Sequence, residues 1–318
     1  MQDLWPIVES VLGVFLVMAI GAICRRLKWI TQASDHSLAS NIKNVLLPAY
    51  FVSRILDSPL IESGTGAWQP PAFGFAITSL GFGIAFVFAK RFGPRVGLKS
   101  SSQQRAFSLC VGICNYGYIS LPLAEHFYPQ AVVSLILQNV GVELALWSIG
   151  VAIISGGGGT SWRKVPLSPP FLAVIIACCV KQFFDSSELP TALSFTFDAL
   201  GNCAIPLGLL LSGAIMTDFL SDPAWMKSYK IPLSAILLRQ FLMPSLMLCI
   251  GLLFSVESCM KEVIVLQAAM PAAVFPIVLV RLYHCDTAVS IQVIVSTSLA
   301  GLLLIPAWLI LGQLLLAV

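Results

Sequence analysis

The chain has 318 residues, of which 58% are hydrophobic and 10% charged, with mean hydropathy +0.90 and a formal net charge of +3. A soluble domain carries roughly 25% charged residues, so this composition excludes one and marks an integral membrane protein. The small positive charge is spread over many loops, which leaves no basic block for nucleic acid, and nucleic acid is not an expected partner.

A membrane-crossing helix needs about 20 apolar residues. In chain order the candidate spans are 7–24, 37–56, 71–89, 104–125, 131–154, 169–184, 191–216, 231–254, 261–282 and 287–316. An all-α polytopic fold of ten transmembrane helices follows, because lipid offers no partners to an open strand edge. The first run is too long and too bare of N-terminal positive charge for a cleavable signal. The second is weakened by Asn41, Lys43 and Asn44, and the sixth is short. The fourth contains CNYGYISLP (114–122), polar and easily bent, and the ninth carries Pro271 and Pro276. Proline inside a helix removes a hydrogen bond and clashes with the preceding turn. In a membrane that is tolerated where the freed backbone lines a protected or wet cavity, so spans four and nine are expected to be broken.

With the N-terminus outside, thirteen Lys and Arg fall in inside loops: Arg25, Arg26, Lys28, Lys90, Arg91, Arg95, Lys99, Arg105, Arg163, Lys164, Lys227, Lys230 and Arg281. Outside loops hold Arg54, Lys181 and Lys261. This bias predicts a multi-pass protein of the plasma or inner membrane with both termini non-cytoplasmic. Trp5, Trp29, Trp68, Trp162 and Trp225 lie at span ends, as interfacial anchors do. The Gly-, Ser- and Pro-rich stretch 155–170 reads as a cytoplasmic linker. It divides the chain into 1–154 and 171–318, each with five spans. Five is odd, so the halves are expected to be inverted repeats, a transporter signature. Asn44–Pro48 (NVLLP) and Asn202–Pro206 (NCAIP) occupy matching positions and support the repeat.

The nine cysteines show no paired metal spacing and read as small buried hydrophobes. GGGG (156–159) lacks the Lys-Ser/Thr of a phosphate loop. Neither a metal nor a cofactor is expected, and no paired Asp, His cluster or nucleophile–base pair within a span suggests an enzyme. Asn115 has both donor and acceptor atoms. At a break it can hold an anion without the desolvation cost of a buried cation, or simply bond a neighbouring helix. Gly117 serves special backbone geometry or close packing; Ser120 lines a site or bonds its own backbone. Glu143 is the sharpest ionisable candidate, since a mid-span carboxylate must face the bundle interior. Protonated, or holding a cation, it would couple transport to protons or sodium; otherwise it pairs with Lys43 or Arg239. Gln138 and Asn139 are expected on the Glu143 face. Asn44 supports backbone or touches substrate, Asn202 is structural, and Asp198 reads as a helix cap. His36, His126 and His284 form no cluster.

At NYGYISLPL (115–123), QNVGVELALW (138–147), PLGLLLSGA (206–214) and AAMPAAVFPIVLVRLY (268–283), together with the Arg239–Pro244 spacing, the chain resembles the auxin efflux carrier family. The resemblance spans nearly the whole sequence. It implies two inverted five-helix repeats, a fold shared with bile-acid sodium symporters. Helices 4 and 9 would cross near mid-membrane, with Pro122, Pro271 and Pro276 at the crossover. It implies alternating access and a small organic anion substrate, such as an auxin-like acid or a mono- or dicarboxylate. Asn115, Gly117, Ser120, Gln138, Asn139, Glu143, Asn44 and Phe275 would bind that substrate. A homodimer is a further implied partner, beside the lipid bilayer and a proton or sodium ion. Two positions depart from the pattern. Many bacterial members have Asn where this chain has Phe275, and plant carriers have Gln where it has Glu143. Alternative functions are a sodium- or proton-coupled symporter of a bile-acid-like or dicarboxylate anion, and a membrane ligand sensor.

Overall fold

A computed structural model describes residues 4–58, 68–156, 169–183, 190–221, 228–254 and 256–318. Most of the expected linker, with Arg163, Lys164 and Trp162, lies outside the described residues, as do Trp225 and Lys227. Among the described residues the structure is helical, with one isolated bridge and no strand.

The first helix, α1, is Leu4–Arg26. The second expected span is α2 (Gln32–Asn41), a π-helical turn at Ile42–Leu46, then α3 (Leu47–Leu56). Pro48 explains the turn: it has no N–H for the carbonyl four residues back, so the ladder widens. Next come α4 (Gln69–Val96), α5 (Ser101–Gly112) and α6 (Ser120–Phe127). Helix α7 (Val132–Ala145) continues through a second π turn, Leu146–Gly150, into α8 (Val151–Ser155). Two further helices are α9 (Pro169–Phe183) and α10 (Thr191–Ser221). A third π turn, Leu238–Leu242, joins α11 (Lys230–Leu237) to α12 (Met243–Leu253) and again precedes a proline, Pro244. The chain ends with α13 (Ser258–Ala269), α14 (Pro276–Leu282) and α15 (Thr287–Leu316).

Among the described residues, six helical stretches are long and apolar enough to cross a membrane: Trp5–Arg26, Gln69–Val96, Pro129–Ser155, Thr191–Ser221, Lys230–Leu253 and Thr287–Leu316. The other expected spans fall short for visible reasons. The sixth is short, and the second opens on the polar segment QASDHSLASN. In the fourth and ninth, residues 113–119 and 270–275 are not helical.

The helices pack in two groups. In the first, α1 lies on α10, and α3 lies between α9 and α10. Glycines let α1 and α10 touch backbone to backbone: a Cβ at Gly21 would overlap the Leu210 carbonyl, and one at Gly213 the Met18 carbonyl. Arg25 ties the same group at one end, bonding Asp35 at 2.6 Å and approaching Asp218 at 3.4 Å. In the second group α4 packs on α5 and α7, and α15 packs on α5, α11, α12 and α13. Gly74 and Gly141 allow the α4–α7 contact in the same reciprocal way, against the carbonyls of Gln138 and Pro71. Ser100 caps α5 by accepting from the Gln103 N–H at 3.1 Å while Gln103 reaches back to the Ser100 N–H, a capping box legible as S-x-x-Q. Asp198 is not a cap. It sits inside α10 and accepts a hydrogen bond from Ser53 Oγ at 2.5 Å, joining α3 to α10.

Candidate functional site

The two non-helical stretches meet. Cys114 and Ala272 form an antiparallel bridge, with the Asn115 N–H donating to the Pro271 carbonyl at 2.7 Å and the Ala273 N–H to Ile113 at 3.2 Å. Backbone groups released by the missing helical turns thus find partners without water, which buried backbone requires. Thr297 Oγ1 accepts from the Ala272 N–H at 3.2 Å, and Gln267 Oε1 accepts from Cys114 Sγ at 2.8 Å. Arg239, 2% exposed, donates from Nε to the Met270 carbonyl at 3.2 Å and from Nη2 to Gln267 at 3.5 Å. Its positive charge sits where α13 ends and its dipole is negative. That position is set by backbone carbonyls rather than by Glu143, the partner considered from sequence.

The prolines act differently from simple breaks. Pro122 lies in the first turn of α6 and Pro276 opens α14, positions where a missing N–H leaves no helical acceptor unserved. Pro271 supplies the carbonyl that receives Asn115. Pro122 and Pro276 therefore start the second half of each interrupted helix, while the first halves end at Gly112 and Ala269.

Beside this junction lies a cavity of about 390 Å³ between the two helix groups. The first group contributes α2, α3 and α9, and the second contributes the 115–121 stretch, α7 and the 273–278 stretch. Of the residues expected in a site, Asn44, Asn115, Gly117, Asn139, Glu143 and Phe275 line it. Asn115 is buried, and its Oδ1 accepts from the Ile119 N–H at 3.4 Å. Asn139 is 4% exposed, and neither of its amide atoms has a hydrogen-bond partner among the described residues. Gly117 has no positive φ, and a Cβ there would meet nothing within 4 Å, so it neither packs closely nor needs special geometry. It faces open cavity instead. Asn44 is exposed and bonds Ser40 at 2.9 Å.

Gln138 and Ser120 do not line the cavity. Gln138 is fully buried against α4, where a Cβ on Gly74 would meet its Cγ at 3.1 Å. Adjacent helical residues point about 100° apart, so Asn139 and Glu143, four apart, share the cavity face and Gln138 does not. Asn202 is exposed on α10, which runs continuously through Pro206, so the two Asn-x3-Pro traces have different local structures.

Sequence reasoning missed several lining residues: His36, Lys43, Tyr118 and Trp147. Lys43, on the first π turn, places Nζ 5.2 Å from the Phe275 ring centroid and 5.7 Å from that of Trp147. The two rings meet edge-on at 6.3 Å. The signal was present, since a cation in an apolar span marks a functional position, but Lys43 was weighed only against the span and as a partner for Glu143. Tyr118 packs its ring onto Gly208 of α10. Three turns along from Lys43, Arg54 pairs with Glu125 of α6, and Tyr50 Oη donates to Glu125 at 3.0 Å. These contacts also join the two groups.

The sequence matches the model of the family described as "Membrane transport protein" over residues 6–160 and 158–309. It is also similar to an "Uncharacterized transporter" of Methanothermobacter thermautotrophicus, 23% identical over 311 residues that cover 94% of this chain and 96% of the relative. A family match of that extent, with six helices fit to cross a bilayer among the described residues, makes this an integral membrane protein that belongs to the membrane transport protein family, the auxin efflux carriers and their relatives.

Proposed function

We propose that this protein is a secondary transporter of small organic anions, with the substrate held in the cavity beside the junction of the two interrupted helices. Asn139 carries the reading. A nearly fully buried amide with no partner among the described residues costs about 1–3 kcal/mol, and a carboxylate oxygen in the adjoining space would relieve it. Asn115, Glu143 and Phe275 share that space. The substrate site is therefore drawn more narrowly than the sequence suggested, without Gln138 and Ser120.

The proposed architecture is ten transmembrane helices in two inverted repeats, 1–154 and 171–318 joined by 155–170, with spans four and nine broken and crossing near mid-membrane. Packing supports it, because contacts recur when the halves are exchanged. α1 on α10 is matched by α9 on α3, α4 on α7 by α11 on α15, and α5 on α15 by α13 on α7. Alternating access would then move one helix group against the other across the cavity. Both termini would be non-cytoplasmic, and a homodimer is the proposed assembly. Protonation of Glu143 on anion binding is the proposed coupling, with sodium as the second choice.

Purified protein in proteoliposomes, given radiolabelled mono- and dicarboxylates with and without sodium at two pH values, tests this. Uptake of at least one acid is expected, reduced about tenfold or more in Asn115→Ala and Asn139→Ala, the cost of one charge-assisted hydrogen bond. Undiminished uptake in both variants would place the site elsewhere. Binding without flux would favour a ligand sensor.

A further inference from the structure

We infer that Lys43 is the charge partner of the substrate, and that it restricts the site to acids with a single negative charge. The inference rests on the proposed transport of organic anions and identifies which of them the site takes.

Among the described lining residues Lys43 is the only Lys or Arg. It is half-buried, no carboxylate pairs with it among the described residues, and its ammonium rests on Phe275 and Trp147. Aromatic faces attract a cation without neutralising it, so the full charge stays available to a ligand. The π turn at Ile42–Leu46 presents Lys43, and the π turn at Leu146–Gly150 carries Trp147. Two widened turns, one from each helix group, therefore face each other across the cation. Span nine thus contributes a ring, Phe275, and span two the charge that rests on it.

The electrostatics then discriminate among acids. One carboxylate can take Lys43 together with the Asn115 and Asn139 amides. A second carboxylate on the same substrate finds no second Lys or Arg in the described lining. A charge enclosed without a partner loses its hydration and gains nothing in return, which disfavours the dianion. The preferred ligand is a monocarboxylate with an apolar body, which the aliphatic walls of Leu121, Ile136, Val140 and Val274 accommodate.

The test uses pentanoate and glutarate, equal in carbon number and differing by one carboxylate, as probes of binding to the purified full-length protein. Wild type is expected to bind pentanoate at least about tenfold tighter than glutarate. Lys43→Gln should weaken pentanoate about tenfold to hundredfold, the range for losing a charged hydrogen bond, while Lys43→Arg stays within about threefold. Phe275→Leu should weaken it about twofold to fivefold. The double variant Lys43→Gln/Phe275→Leu should be no weaker than Lys43→Gln alone, because Phe275 acts through the lysine. Thermal unfolding of each variant reports whether it is folded. Equal pentanoate binding by wild type and Lys43→Gln would overturn the role of Lys43, and tighter binding of glutarate would overturn the charge restriction. Failure of the wild type to bind or transport any carboxylate would instead overturn the proposed function, and this inference with it.

Discussion

Two turns of this chain follow one pattern and end in opposite environments. Residues 42–48 read IKNVLLP and residues 238–244 read LRQFLMP. Each has a basic residue, then an amide, inside a π-helical turn that precedes a proline. In the second, proline leaves the Gln240 carbonyl without its helical donor, and Trp308 Nε1 fills the vacancy at 2.7 Å. Gln240 Nε2 donates to the Thr297 carbonyl at 3.0 Å, and Arg239 closes the end of α13. In the first, Asn44 is exposed and Lys43 lines the cavity. The same local device thus makes a structural clamp where helix carbonyls stand opposite, and a ligand-facing cation where rings and empty space do.

The largest expected effect of breaking that contrast is at Arg239. Arg239→Met should destabilise the protein by about 2–4 kcal/mol, because it takes the Arg239 donor from the buried Met270 carbonyl and leaves the Gln267 carbonyl only the Met270 N–H. Thermal unfolding in detergent reads this as a lower Tm. Arg239→Lys should recover only part of the loss, since one ammonium cannot reproduce the planar fork. Lys43→Met should shift the same Tm little, by roughly 1 kcal/mol or less, because it removes only a cation–π contact from the fold. Equal destabilisation at the two sites would dissolve the distinction drawn here. The smallest effect is at Arg54, a third cation, which is 37% exposed beside a Glu125 that is 32% exposed. Glu125→Gln should cost the fold about 1 kcal/mol at most. It should raise the labelling rate of a cysteine placed at Tyr118 by a few fold, if this pair helps hold the two groups together at that end. Unchanged labelling would reduce the ion pair to surface decoration.

Much of the fold was legible in the sequence because long apolar runs have few ways to satisfy their backbone in lipid. The helices α1, α4, α10 and α15 follow directly from such runs, and CNYGYISLP and PAAVFP did mark the places where helices stop. The role of the prolines was harder to read. The penalty they carry inside a helix suggested that they end one, whereas Pro122 and Pro276 begin the next. Asn139 and Gln138 show a similar limit. Both are amides on one helix, and only the rotation of α7 against α4 decides that Asn139 meets the cavity while Gln138 meets Gly74.

By itself, then, the sequence determined class, most helix positions and the two interruptions, since hydropathy and backbone hydrogen bonding act locally along the chain. The tertiary structure alone decided which polar residues work together. Lys43, Trp147 and Phe275 lie far apart in the chain, and none of them signals the others. Their contact arises where the π turns at Ile42–Leu46 and Leu146–Gly150 and the start of α14 converge on one cavity, and the meaning of a charge depends on what packs across from it.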